Sequence, residues 1–174
     1  VFARAGHTPL VYLPAEPPQA GQGRRAQVLT PDGMVLGLRV PNIAHLFSHH
    51  LTEQSLRLSP GDVIVLYTDG ISEAMNAGGD LFGEARLSKL IEDHGHLDVA
   101  ELRERILREI EAFAGAADQN DDVTMILLKV EEEGAPLPTA LTPVYPAGEG
   151  VPQAYLRKAI GNALTRVDWR DTLS

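Results

Sequence analysis

Five consecutive apolar residues, Val63-Ile64-Val65-Leu66-Tyr67, run directly into Thr68-Asp69-Gly70. A short apolar run without alternation reads as a strand covered on both faces. Its abrupt end in Asp-Gly sets a carboxylate at a sheet edge where the backbone turns sharply. A second strong strand is expected over residues 123–130, and Asp121-Asp122 stand immediately before it. The chain must therefore build a layered domain, with acidic residues at the ends of its best-covered strands.

The rest of the sequence supplies the layers. Val1 to Ala5, a turn at Gly6-His7-Thr8-Pro9, and Leu10 to Leu13 read as a hairpin. Residues 14–24 are rich in Pro, Gly and Gln and read as a surface loop. A second hairpin is expected from Ala26 to Thr30, through Pro31-Asp32-Gly33, into Met34 to Leu36. Residues 42–50 place Ile43, Leu46 and Phe47 at helical spacing without deciding between helix and loop. Leu56-Arg57-Leu58 leads through the turn Ser59-Pro60-Gly61.

Two helices are expected next. Phe82, Leu87, Leu90 and Ile91 mark the face of the first, which ends at His94-Gly95. In the second, Asp98 is placed as cap with Glu101 completing a capping box. Val99, Leu102, Ile106, Ile110 and Phe113 form its apolar stripe, and Glu101–Arg105 and Glu104–Arg108 are favourable i,i+4 pairs. Strands, then two helices, then a returning strand argue for an α+β fold with helices on a mainly antiparallel sheet. Residues 131–150 shift to Glu, Pro, Ala and Gly and read as a linker. Residues 151–174 read as a helical extension whose stripe (Tyr155, Leu156, Ala159, Ile160, Ala163, Leu164) is expected to bury against something. The 174 residues suit one domain plus this appendage, and 44% hydrophobic with 22% charged residues are ordinary for a packed core.

Composition excludes several chemistries. Cysteine is absent, so there is no disulfide, thiolate metal site or cysteine nucleophile. A formal net charge of −9 opposes binding to nucleic acid or an anionic membrane. No apolar run approaches the roughly 18 residues of a bilayer span, and a cytoplasmic location is expected. Val1 is not a natural start residue, so a preceding segment is expected. No Gly-x-Ser-x-Gly surrounds any serine, and no Gly-x-x-x-x-Gly-Lys-Ser/Thr loop occurs. Asp118-x-Asn120-x-Asp122 opens like a calcium loop but continues with Val123 and Lys129 where Gly and Glu are required.

The acidic strand ends remain. If the two strands are neighbours, Asp69 and Asp121 converge, and a divalent cation would relieve their repulsion. An all-oxygen ligand set suits Mg²⁺ or Mn²⁺. By spacing alone, a plain turn at Asp69-Gly70 and a cap or solvated loop at Asp121-Asp122 are the commoner readings. His49-His50 reads as a surface pair at a helix end.

Several spaced blocks decide between these readings. Ala5-Gly6-His7-Thr8-Pro9-Leu10, Leu36-Gly37, Leu58-Ser59-Pro60-Gly61-Asp62, Leu66 to Ala74, Phe82-Gly83 and Asp121-Asp122-Val123-Thr124 follow one another in order over residues 1–130. In this the chain resembles the C-terminal half of the protein phosphatase 2C-like (PPM) superfamily domain, in its bacterial SpoIIE-like, sigma-factor-regulating branch. The resemblance implies an αββα sandwich and a two-metal Mn²⁺ or Mg²⁺ site hydrolysing phosphoserine or phosphothreonine in a protein. Asp69, with Gly70 beside it, matches the family's Asp-Gly ligand position. Asp121 matches the Asp before the last strand, with Asp122 adjacent, and Glu73 falls where relatives place a further acidic residue. Such metals activate a water that attacks phosphorus in line.

The family also carries an Asp-x-x-Gly-His-Gly segment that supplies the carboxylate bridging both metals. No such segment occurs here, and it is expected upstream of Val1. Asp93-His94-Gly95-His96 is superficially similar but is read as a helix end with loop histidines. The expectation is an incomplete site, inactive or very weak in isolation. The implied substrate is a phosphorylated regulatory protein of the anti-sigma-factor-antagonist kind, and the resemblance is compatible with a dimer. His7 belongs to the resembling blocks, either near the site or holding a turn. The competing reading is a phosphatase-like module that binds a partner without catalysis.

Overall fold

In the computed structural model, residues 1–39, 41–117 and 121–132 are described. The apolar run forms strand β5 (Val63–Tyr67) at the middle of the fold. The other strands are β1 (Phe2–Ala3), β2 (Leu10–Leu13), β3 (Gln27–Leu29), β4 (Glu53–Gln54) and β6 (Met125–Lys129); the helices are α1 (Ile43–His50), α2 (Asp69–Ser72), α3 (Gly83–His94) and α4 (Val99–Ala114). The main sheet is antiparallel in the order β3-β2-β5-β6. Val11 pairs with Val65, and Val65 with Leu127, so β5 is clasped on both edges.

One face of this sheet is covered by α3 and α4. Val11, Leu13, Val63, Val65 and Tyr67 meet Leu87, Ile91, Leu102, Ile106 and Ile110 in a single buried cluster. Full burial of each such side chain contributes about 1.5–3 kcal/mol. The expected stripe of α4 is the buried one, and the Asp98 carboxylate accepts from the Glu101 amide at 2.8 Å to cap it. The expected i,i+4 pairs are replaced: Arg105 pairs with Glu109 at 3.0 Å and Glu104 with its neighbour Arg103 at 3.0 Å.

Three sequence expectations are corrected. The opening segment is not a hairpin, because β1 pairs with β4 rather than β2. The Arg4 side chain holds it there, donating to the carbonyls of Pro31 (3.2 Å) and His7 (3.1 Å). The second hairpin is also absent. β3 pairs with β2, and no strand forms over residues 34–36. Asp32 offers its carbonyl to the Thr52 amide at 2.9 Å. Gly33 is pressed on the Arg4 peptide, where a Cβ would meet the carbonyl carbon at 2.8 Å. A residue that reads as a turn glycine serves a long-range backbone approach.

The third correction concerns cover. Val63, Val65 and Tyr67 are buried while Ile64 and Leu66 are half-buried, and on β6 Ile126 and Leu128 are 54% and 40% exposed. Among the described residues, the run is therefore fully covered on one face only. The region left undecided by its sequence, 42–50, is helical as α1. The linker and C-terminal extension expected over 131–150 and 151–174 lie, beyond residue 132, outside the described residues.

Candidate functional site

At its C-terminal end β5 passes through Thr68 into α2, whose first residue is Asp69. Thr68 stitches this end to the segment before β6. Its amide donates to the Thr124 carbonyl (3.0 Å), its hydroxyl to the Asp122 carbonyl (3.0 Å), and the same hydroxyl accepts from the Thr124 amide (3.0 Å). The following glycine lies directly on that segment. A Cβ at Gly70 would stand 2.9 Å from the Asp122 carbonyl carbon and 3.3 Å from the Asp121 carbonyl oxygen. Only glycine permits this approach, which is why Asp-Gly stands here and not Asp followed by a larger residue.

The result is that the α2 turn bearing Asp69 and the Asp121-Asp122 loop share one end of the sheet. Asp69 accepts from the Gly70 amide at 3.1 Å, and Asp121 from the Asp122 amide at 2.7 Å. Asp69, Asp121, Asp122 and Glu73 are all solvent-exposed. Glu73 caps α2, its amide donating to the Asp69 carbonyl at 2.7 Å, one turn beyond Asp69. Among the described residues no three acidic, His or Cys side chains gather closely enough to enclose a metal ion. The donors present are hard carboxylate and carbonyl oxygens, which match Mg²⁺ or Mn²⁺ in type but are too few for a closed shell.

The histidines divide. His94 ends α3 and Gly95 follows it as cap, its amide on the Ile91 carbonyl at 2.8 Å, so the Asp93-His94-Gly95-His96 stretch is a helix end. His49 and His50 lie exposed at the end of α1. His7 sits at the other flank of the acidic end, because Thr8 next to it donates its hydroxyl to the Tyr67 carbonyl.

The family model described as Stage II sporulation protein E (SpoIIE) matches residues 1–131. The chain belongs to the SpoIIE family. It is 29% identical over 125 residues to Protein IcfG of Synechocystis sp., covering 72% of this chain and 17% of that protein. Among solved structures it is similar to the SiaA-PP2C domain of Pseudomonas aeruginosa, with 22% identity and a TM-score of 0.57 over 74% of this chain and 46% of that one. It also matches the phosphatase domain of SpoIIE from Bacillus subtilis, with 15% identity and a TM-score of 0.48 over 75% of this chain and 50% of that one. The chain thus spans half or less of each of these relatives. Its mixed helix and antiparallel-sheet architecture is that of the PP2C phosphatase domain.

The opposite end of β5 holds groups that sequence reasoning missed. Asp62 is 2% exposed and accepts from the Tyr12 hydroxyl (2.9 Å), the Ala15 amide (2.7 Å) and the Ser59 amide (2.8 Å). Burial, reinforced by Asp62, pushes the Tyr12 phenol up to about 12. Arg24 donates to the carbonyls of Pro14, Leu13, Gly61 and Gly95, and burial lowers its pKa against the pull of Asp62. Lys129 closes the α3–α4 connection by donating to the carbonyls of Gly95, His96 and Leu97. Bonds to carbonyls leave no side-chain partner to find in a sequence.

Proposed function

We propose that this chain supplies one half of the active site of a Mn²⁺- or Mg²⁺-dependent protein serine/threonine phosphatase. The observation that carries the reading is the packing of Gly70 on the Asp121-Asp122 peptide, which couples two acidic segments at one sheet end in a PP2C-like family member. Asp69 and Asp121 would be the principal ligands, with Asp122, Glu73 and the Gly70 carbonyl completing this side. A further carboxylate ligand would come from an Asp-x-x-Gly-His-Gly segment that this sequence does not contain. When bound, the cations supply Lewis acidity and a water acidic enough to attack phosphorus. The chain's own residues hold and orient: Thr68 locks the two acidic segments in register, and α2 presents Asp69 at its first turn.

The proposed substrate is a phosphorylated regulatory protein of the anti-sigma-factor-antagonist kind, met in the cytoplasm, with dimerisation compatible. In this reading residues 1–130 are the catalytic portion, 131–150 a linker and 151–174 a helical extension. The alternative reading is a partner-binding module without catalysis.

The test is dephosphorylation of a phosphoserine protein with and without Mn²⁺, by the full-length protein and by the 174-residue chain. The full-length protein is expected to turn over only with metal, and the 174-residue chain to be inactive or very weak. Asp69→Asn is expected to lower full-length activity at least about 100-fold. A full-length protein that binds Mn²⁺ yet hydrolyses nothing would establish the binding module instead.

A further inference from the structure

His7 stands in an exposed loop, yet it is held at several points. Arg4 donates to its carbonyl at 3.1 Å. Its ring Nδ1 lies 3.0 Å from the Thr8 hydroxyl and 3.3 Å from the Thr8 carbonyl. The Thr8 hydroxyl in turn donates to the Tyr67 carbonyl, the last residue of β5. A hydroxyl has one hydrogen, and this one is committed to Tyr67. Both oxygens facing Nδ1 are therefore acceptors, so Nδ1 carries a proton. That assignment follows from the network, as ring tautomers must. It leaves Nε2 as the ring nitrogen that Thr8 does not engage.

The strand pairing brings the segment that carries His7 to the C-terminal end of β5. β2 and β5 pair Val11 with Val65. Thr8 lies two residues before β2, and Tyr67 is the last residue of β5, two residues before Asp69. The Thr8–Tyr67 bond shows that the two chains stay together across this interval. On the opposite edge of β5, Thr68 bonds to Asp122 and Thr124. The acidic end is thus flanked by Asp121-Asp122 on the β6 side and by a clamped imidazole on the β2 side.

We propose that His7 is a phosphate-positioning residue, whose imidazolium Nε2–H donates to a phosphoryl oxygen of the substrate. The inference rests on the phosphatase reading and deepens it. A phosphoryl dianion entering an end lined by Asp69, Asp121, Asp122 and Glu73 meets like charge, and a cationic donor on the facing edge offsets it. As an imidazolium the ring donates from both nitrogens: Nδ1–H stays on Thr8 and Nε2–H is left for the anion. Thr8 then has a second role, because its hydroxyl fixes the angle at which the ring is offered.

Full-length protein with Mn²⁺ tests this, with p-nitrophenyl phosphate as substrate and inorganic phosphate as ligand, beside His7→Ala, His7→Gln and Thr8→Val. In His7→Ala, KM and the phosphate Kd are expected to rise about tenfold, as for loss of one charge-assisted hydrogen bond. The value of kcat is expected to change less than KM, and the Mn²⁺ affinity to stay within about twofold. His7→Gln, which keeps an N–H donor, should recover part of the loss; Thr8→Val should show a fraction of it with the imidazole intact. Unchanged phosphate affinity in His7→Ala, or an Mn²⁺ affinity that falls in step with it, would overturn the proposal. If His7→Ala does not fold, the other two variants decide by the same readouts. Wild-type protein that binds phosphate through His7 but hydrolyses nothing would sink the phosphatase reading alone. Turnover with phosphate affinity indifferent to His7 would sink this proposal alone, and wild-type protein that neither hydrolyses nor binds phosphate would sink both.

Discussion

Two aspartates bracket β5, and the chain uses them in opposite ways. Asp62, just before the strand, is buried and accepts from one phenol and two backbone amides, with the charge of the Arg24 guanidinium nearby. Asp69, just after it, is exposed and receives its neighbour's amide, Gly70 N–H, while the adjacent loop brings two more carboxylates to the same end. A buried carboxylate is tolerable only where donors converge on it. Exposed carboxylates gathered at one end repel one another, and a cation would relieve that repulsion. The same side chain is thus structural at one end of a strand and available for chemistry at the other.

That contrast breaks most easily at Asp62. Replacing it with Ala strands the Tyr12 hydroxyl and the Ala15 and Ser59 amides, each an orphaned donor worth about 1–3 kcal/mol. We expect Asp62→Ala to lose at least about 3 kcal/mol by urea denaturation. A loss below about 1 kcal/mol would mean that water replaces all three bonds and that the two ends are not so different.

A smaller effect is expected at the hinge of the acidic end. Gly70→Ala forces a Cβ onto the Asp122 peptide, which belongs to backbone and cannot swing aside. Overpacking of this kind costs about 1–3 kcal/mol, and here the strain must also part α2 from the Asp121-Asp122 loop. Chemical-shift changes in a nitrogen–proton spectrum should therefore include residues 121–124 as well as 69–73. Shifts confined to α2 would separate the two acidic segments and weaken the shared site.

The legible parts of the molecule are those in which one residue type repeats at a period. The β5 run and the α4 stripe are of this kind, and both elements form where their sequences predict. Asp69 and Asp121 stood out because acidic residues beside apolar strands are conspicuous. Non-local pairings were not legible. β1 meets β4 across fifty residues, and Gly6 and Gly33 read as turn glycines although β1 leads elsewhere and Gly33 serves a close backbone approach. Asp62 was hidden in an ordinary Pro-Gly-Asp turn, because its partners are two backbone amides and a distant tyrosine. The exposed apolar face of β6 could not have been foreseen from its own sequence, which is as apolar as that of a doubly covered strand.

Alkaline titration offers a milder probe of the buried end. The Tyr12 phenol is raised to about 12 by burial and by Asp62, against 10.0 for a free phenol. The unfolded chain therefore loses this proton first. The stability contributed by the folded pKa is full below pH 10 and declines as pH rises through about 12. Tyr67 is raised as well, by burial and then by Glu84, so the wild-type decline has two sources. Tyr12→Phe should remove one of them, flattening the alkaline decline while costing about 1 kcal/mol at neutral pH for the lost hydrogen bond. A decline unaltered by Tyr12→Phe would place its whole origin elsewhere.

The smallest change in stability is expected at the residue with the largest expected effect on activity. Asp69→Asn keeps the shape of the side chain and an oxygen to accept from the Gly70 amide. It removes one negative charge from an end that also carries Asp121, Asp122 and Glu73. Exposed substitutions of this kind fall within about 0.5 kcal/mol of neutral. Relief of like-charge repulsion sets the sign, so in metal-free buffer at low salt the variant should melt at the wild-type temperature or slightly above it. Added Mn²⁺ should then raise the melting temperature of the full-length wild type and leave Asp69→Asn nearly unmoved, since a ligand stabilises only the state that binds it. If Asp69→Asn were instead destabilised as much as Asp62→Ala, the two ends of β5 would be doing the same structural job, and the case for a cation at the acidic end would lose its physical basis.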